Sequence, residues 1–129
     1  MCYSPTSCRY STSRYCIQAD GAAPWSPRLV EYMLLGCVPV LVTDTLVPPF
    51  AQTLDWAKFS VTVKIKDIAK IPEILLRADY ATLAEGVALA SPFFRWSFAM
   101  GDYKEGWGSA LPLVVFEMYL RSANITLIT

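Results

Sequence analysis

The chain has 129 residues, which is a typical length for a single domain. Apolar residues make up 54% of the sequence, enough to bury a sizeable core, and 11 basic side chains balance 11 acidic ones. This balance argues against duplex nucleic acid as a partner, because binding to phosphates needs a surplus of Lys and Arg. It also gives no basic arm for an anionic membrane.

The longer uncharged runs of the sequence are too short to cross a membrane. The run between Glu31 and Asp44 contains Gly36 and Pro39, whereas a membrane-spanning helix needs roughly 20 apolar residues. We therefore expect these runs to form buried core. The first dozen residues lack the apolar stretch of a signal peptide, so we expect any targeting signal to be encoded elsewhere.

The cysteines Cys2, Cys8, Cys16 and Cys37 are irregularly spaced, and the chain contains no histidine. A zinc site is therefore not expected, and Ser-His-Asp and Cys-His catalysis are excluded. Cys16 and Cys37 lie in apolar runs and are interpreted as buried free thiols. Cys2 and Cys8 could pair in an oxidising lumen, and the sequence leaves that question open.

The N-terminal part of the chain predicts a tail, a strand, a loop and a helix. Residues 1–13 show no periodicity and are expected to be poorly ordered, with one domain over residues 14–129. Residues 15–18 predict a strand and 19–25 a loop. Ser26 and Pro27 are a favoured cap and first residue of a helix. Gly36 is placed to end that helix, whose apolar stripe comprises Leu29, Val30, Met33 and Leu34.

The remainder of the chain continues the alternation of strands and helices. Residues 37–43 form a continuous apolar run, typical of a strand that is covered on both faces. Further elements are predicted at 54–56 (a helical turn), 59–63 (a strand), 68–78 (a helix with Pro72 in its first turn), 83–96 and 113–121 (helices). The alternation predicts an α/β fold with a parallel sheet flanked by helices.

The first strand, loop and helix together suggest an anion site. Free N–H groups at a helix start favour anions, and ligands of open parallel sheets lie at the carboxyl ends of the strands. Arg28, in the first turn, would contact a diphosphate, and Glu31 could accept a ribose hydroxyl. The alternative is an exposed Arg28–Glu31 pair worth about 0.2–0.5 kcal/mol, and spacing alone leaves both interpretations open.

One long run closely resembles the exostosin family, glycosyltransferase family 47. The run is Ser-Pro-Arg-Leu-Val-Glu-Tyr-Met-Leu-Leu-Gly-Cys-Val-Pro-Val-Leu-Val-Thr-Asp over residues 26–44, continued by Val-Pro-Pro-Phe over 47–50 and Leu-Asp-Trp-Ala-Lys-Phe-Ser-Val over 54–61. The family pattern has these features in the same order and spacing. Tyr15, Cys16 and Gly21 match the strand and loop that precede it.

The resemblance implies the C-terminal, donor-binding half of a GT-B enzyme that inverts configuration. The donor would be a UDP-sugar, which is a substrate and not a cofactor, and the acceptor a polysaccharide or glycan. By position, Ser26 and Arg28 would lie at the diphosphate and Glu31 at the ribose, while Gly21 would let the loop approach the donor. The N-terminal half and a membrane anchor in the Golgi would lie outside this chain.

The sequence also departs from the family pattern. Ala19 stands where members commonly have Pro, the loop 22–25 is unusual, and Tyr32 replaces a small residue, so donor preference is not carried over. Asp44 and Asp102 are available carboxylates, but neither has a pattern that assigns the catalytic base. Two alternatives stay open: a non-catalytic remnant that binds a partner polypeptide through an apolar face, and a truncated gene product that does not fold alone.

Overall fold

A three-stranded parallel sheet forms the centre of the fold. A computed structural model describes residues 5–20, 26–95 and 110–125, with the backbone alone for 5–8 and 111. The strands β1 (Tyr15–Ala19), β2 (Val38–Val42) and β3 (Val61–Val63) lie in the order β1-β2-β3. The register places Tyr15 opposite Val38 and Val42 opposite Val63. The predicted α/β class with a parallel, Rossmann-like sheet is confirmed.

Five α-helices accompany the sheet in the described ranges: α1 (Pro5–Thr12), α2 (Arg28–Leu34), α3 (Ile71–Arg77), α4 (Tyr80–Ala90) and α5 (Ala110–Ser122). Shorter 3₁₀ helices span Trp56–Lys58, Ile65–Lys70 and Ser91–Phe94. Pro72 lies in the first turn of α3, as predicted. None of the helices in these ranges is both long enough and apolar enough to cross a bilayer.

The central strand β2 is buried at every position, as its uninterrupted apolar sequence predicts. Leu41 belongs to the larger core cluster, which includes residues of α2 and α4. Val40 and Val42 belong to a second cluster with Val63 and with Ile71 of α3. Both faces of the sheet are therefore covered by helices. The ends of the strands are the part of the sheet that remains open to a ligand.

Helix α2 ends at the glycine that the sequence singled out. Gly36 has a φ of +76°, a conformation that costs glycine little. The N–H of Cys37 donates to the carbonyl of Tyr32 at 2.9 Å, and that of Gly36 to Met33 at 3.3 Å. This pair of hydrogen bonds is the Schellman motif, and it turns the chain directly into β2.

The interpretation of Cys16 and Cys37 as free thiols is wrong. Both are buried, as predicted, but they form a disulfide with their Cα atoms 5.9 Å apart. The reason is the register of the sheet, which pairs Cys16 with Pro39 and so brings Cys37, two residues earlier, beside β1. The sequence separation of 21 residues gives no local sign of this contact.

Part of the segment 1–13, which was expected to be a poorly ordered tail, lies in helix α1. This helix spans Pro5–Thr12, and the Tyr10 ring packs edge-on against the Tyr32 ring with centroids 4.8 Å apart. The Ser and Tyr residues of this segment gave no helical pattern. Helix propensity is a weak guide here, because the helix is stabilised by its packing against the rest of the fold.

Gly86 of α4 lies where the helix approaches the backbone before β3. A Cβ atom at this position would clash with the Lys58 carbonyl oxygen. We expect Gly86→Ala to lower the free energy of unfolding by about 1–3 kcal/mol, because overpacking against a rigid backbone outweighs the better helix propensity of Ala. Urea unfolding measures the change, and Glu85→Ala on the exposed side is the control. A Gly86→Ala variant as stable as the parent chain would contradict the close approach.

Candidate functional site

The carboxyl ends of β1 and β2 are joined by a polar contact. Asp20 follows β1 and Thr43 follows β2, and the Thr43 hydroxyl donates to Asp20 Oδ2 at 2.7 Å. The Asp20 N–H donates to the Val42 carbonyl at 3.2 Å. Asp20 is thereby held at the end of the sheet where ligands of parallel α/β folds bind. Asp20 was not among the residues predicted from the sequence, although its place as the first charged residue after a strand is a usable signal.

Thr43 also organises the loop that leaves β2. Its hydroxyl oxygen accepts the backbone N–H groups of Thr45 at 3.1 Å and Leu46 at 2.9 Å. Asp44, one of the two candidate bases, is exposed and accepts the N–H of Ile65 at 3.4 Å. The contact links the ends of β2 and β3, which gives Asp44 a structural role. The other candidate, Asp102, lies outside the described residues.

Ser26 acts as the cap that the sequence predicted for α2. Its hydroxyl oxygen accepts the Arg28 N–H at 3.3 Å, and its carbonyl accepts the Leu29 N–H at 3.2 Å. Pro27 already has helical angles, with φ −61° and ψ −19°. The helix has only seven residues, so its length is roughly 10 Å. Such a short helix does not make an anion site by its dipole alone, and side chains must supply the rest.

Arg28 and Glu31 lie on the exposed side of α2, while Leu29, Tyr32 and Met33 are buried beneath it. None of the ion pairs in the described part of the chain joins Arg28 to Glu31. The alternative of a simple surface pair is therefore not formed in this structure. The two opposite charges are both open to solvent and to a ligand.

Tyr32, the departure from the small residue of the family pattern, fastens α2 to the sheet. Its hydroxyl donates to the Ile17 carbonyl of β1 at 3.2 Å. Burial raises the pKa of the Tyr32 phenol above its ordinary value, and the neighbouring Tyr10 raises it further. The phenol therefore stays protonated and remains a donor at neutral pH. The Tyr32 side chain therefore fixes the position of α2 relative to β1. Arg28 and Glu31 are positioned with the helix.

The structure thus brings three of the four predicted donor-site residues, Ser26, Arg28 and Glu31, to the start of one short helix. The fourth, Gly21, lies outside the described residues. Within the described ranges, no group of three or more His, Cys, Asp or Glu side chains is arranged to hold a metal ion.

Residues 8–78 of this chain match the protein family described as the Exostosin GT47 domain. The match contains the whole sheet, α2 and the Asp20–Thr43 contact, and it covers more than half of the chain. The chain belongs to the exostosin GT47 family. The site geometry described above therefore lies wholly within a recognised exostosin domain.

Three named relatives match the chain over different lengths. A "probable glycosyltransferase" of Arabidopsis thaliana is 44% identical over 119 residues, which is 90% of this chain and 24% of the relative. A "probable glucuronoxylan glucuronosyltransferase" of the same plant is 46% identical over 63 residues, 49% of this chain and 13% of the relative. A "probable glucuronosyltransferase" of Physcomitrium patens is 41% identical over 71 residues, 55% of this chain and 16% of the relative. The exostosin chain spans about a quarter or less of the length of these relatives.

Proposed function

We propose that this chain is the donor-binding portion of an exostosin-family glycosyltransferase and lies within the C-terminal half of a GT-B enzyme. The observation that carries the proposal is the start of α2. There Arg28 and Glu31 are exposed and unpaired with each other, and Ser26 caps the helix. All three lie in the family match and next in the chain to the carboxyl end of β1.

Each of these residues has a distinct part in holding a UDP-sugar. Ser26 and Arg28 bind the diphosphate, and Glu31 accepts a hydrogen bond from the ribose. Gly21 leaves room for the loop to approach the donor. A charge-assisted hydrogen bond from Arg28 is worth roughly 1.5–3 kcal/mol, which exceeds what a seven-residue helix supplies through its dipole.

The transfer is an inverting displacement at the anomeric carbon. An acceptor hydroxyl oxygen forms the new bond to this carbon while the bond from the carbon to the diphosphate oxygen breaks. UDP leaves with the bonding electron pair, and the hydroxyl proton passes to a base. Arg28 stabilises the charge that develops on the leaving diphosphate. The base comes from outside the Ser26–Glu31 segment, and we assign no residue of this chain to it.

The names of the relatives suggest which sugar to test first. Two of the three relatives described above carry "glucuronosyltransferase" in their names, and one of these also names glucuronoxylan. We therefore propose UDP-glucuronic acid as the first donor to test and a polysaccharide as the acceptor. The Golgi lumen, with an anchor in the longer protein, is the proposed location. The Cys16–Cys37 disulfide supports an oxidising compartment.

A transfer assay tests this proposal. We expect the 129-residue chain to transfer no sugar by itself, because the base that receives the acceptor's proton must be positioned by further sequence. Such positioning supplies on the order of 7–11 kcal/mol of the barrier. A protein in which the N-terminal half precedes the chain should transfer glucuronic acid, and its Arg28→Ala variant should lose most activity. Sugar transfer by the isolated chain would contradict the proposal that the base lies outside this chain.

A second candidate, a non-catalytic module that binds a partner polypeptide, is favoured by the outer face of α5. Val115, Phe116, Met118 and Tyr119 are exposed on this helix, whereas Glu117 is buried. An amphipathic helix normally has the opposite arrangement, and exposed apolar patches mark interaction surfaces. Nucleotide binding separates the two candidates, because the module has no need for a donor site.

A further inference from the structure

A cavity lies between α5 and the loop that leaves the carboxyl end of β2. Its volume is about 350 Å³, and it is lined by the loop residues 47–52 together with Glu117 and Arg121. This volume falls within the range of roughly 300–1,000 Å³ that small-molecule sites occupy. The cavity is distinct from the start of α2, because it shares no residue with Ser26, Arg28 or Glu31.

Glu117 puts a carboxylate at the inner side of this cavity. Its side chain is only 9% exposed, and Oε1 accepts the Thr53 hydroxyl at 2.9 Å. Oε2 forms an ion pair with Arg121 Nη2 at 3.7 Å, which is longer than a hydrogen bond. A buried carboxylate is costly unless its oxygens are hydrogen-bonded, and the two oxygens together offer about four acceptor positions. Glu117 therefore keeps acceptor capacity for a ligand.

Gln52 adds a second acceptor to the same cavity. Its Oε1 atom is buried and has no hydrogen-bond partner in the described structure, and such an orphan acceptor calls for an explanation. The neighbouring Phe50 has a φ of +56°, a strained conformation for a non-glycine residue that tends to occur at functional sites. An unpartnered amide oxygen beside a carboxylate with spare acceptor positions selects a ligand that brings hydrogen-bond donors.

Hydroxyl groups supply such donors, whereas a phosphate or a carboxylate brings only acceptors. The negative charge of Glu117 further disfavours an anion in the inner part of the cavity. Pro48, Pro49 and Phe50 provide apolar wall against which the C–H face of a sugar ring can pack. Arg121, whose side chain is 73% exposed, lies at the rim and can donate to a hydroxyl there.

We propose that this cavity binds an uncharged pyranose ring of the acceptor polysaccharide. This inference rests on the proposed function, since it assigns the acceptor to a place on the same chain as the donor site. Glu117 and Gln52 accept hydroxyls of the ring, Thr53 holds the Glu117 carboxylate in place, and the loop from β2 connects the cavity to the carboxyl edge of the sheet.

Calorimetry on the 129-residue chain tests the proposal, with xylotetraose as the neutral saccharide and UDP titrated separately. We expect Glu117→Gln to weaken xylotetraose binding about tenfold and Gln52→Ala about threefold to tenfold. The affinity for UDP should stay unchanged in both variants. Glu85→Gln, an exposed charge change on α4, is the matched control and should alter neither affinity. Thermal melts check folding, and Gln52→Ala keeps the test valid if Glu117→Gln is unstable.

The outcomes separate this inference from the proposed function. UDP binding without xylotetraose binding would overturn the acceptor cavity and leave the donor site standing. Xylotetraose binding that depends on Glu117 and Gln52, without UDP binding, would support the cavity while refuting the donor proposal. An equal loss of xylotetraose affinity in Glu85→Gln and Glu117→Gln would contradict binding in this cavity. Competition by free glucuronate at an affinity comparable to that of xylotetraose would also contradict it.

Discussion

Replacing both Cys16 and Cys37 by alanine is expected to lower the free energy of unfolding by about 3 kcal/mol. The disulfide joins residues 21 apart in sequence, and closing a loop of this length removes roughly that much entropy from the unfolded chain. Both side chains are buried, so truncation adds to the loss. Guanidinium unfolding without reductant measures the change, and the melting temperature should fall by roughly 10 °C.

Reductant provides the control for this prediction. Added dithiothreitol should bring the parent chain close to the stability of the Cys16→Ala/Cys37→Ala variant, whereas the variant itself should not respond. The closed loop contains the whole proposed donor site, from Gly21 to Glu31. Reduction should therefore weaken nucleotide binding together with stability. A parent chain whose unfolding midpoint is the same with and without reductant would show that this disulfide is not formed.

Glu31→Ala is expected to weaken UDP binding by about 10- to 150-fold, because a hydrogen bond to a charged group is worth roughly 1.5–3 kcal/mol. Glu31→Gln keeps an acceptor oxygen and should lose less. The measurement is UDP affinity by calorimetry in a protein with the N-terminal half restored, alongside thermal melts. Stability should barely change, since Glu31 is exposed and makes no ion pair with Arg28 in the described structure.

Glu85→Ala on α4 is the matched control for Glu31, since both are exposed glutamates on helices. It should change neither UDP affinity nor the melting temperature appreciably. Unchanged UDP affinity in both Glu31 variants would make this residue an ordinary surface charge. A large drop in melting temperature for Glu31→Ala would instead make it a structural residue.

The sheet and the helix α2 were predictable because their sequence patterns are local. The uninterrupted apolar run of β2 indicated a strand covered on both faces, and Ser26 and Gly36 marked the two ends of the helix. These signals depend on backbone geometry within a few residues. The strand β3 is shorter than predicted, because residues 59 and 60 close the 3₁₀ helix Trp56–Lys58.

The errors arose where distant residues meet. The Cys16–Cys37 disulfide and the Asp20–Thr43 hydrogen bond both depend on the parallel register of β1 and β2, which no local pattern reveals. The helix α1 packs through Tyr10 against Tyr32, another contact between segments far apart in sequence. Glu117 was not predicted for the same reason, since its hydrogen-bond partner Thr53 lies 64 residues away in the sequence.

Amide hydrogen exchange with and without UDP tests the central claim most directly. Saturating UDP should slow exchange in the segment from Asp20 to Leu34 of the 129-residue chain, and Arg28→Ala should abolish that protection at the same UDP concentration. A separate groove between the Trp56–Lys58 helix and α4, whose lining includes Lys58, Thr82 and Leu89, should show no change. Failure of UDP to protect any segment, or protection confined to that groove, would contradict a donor site at the start of α2.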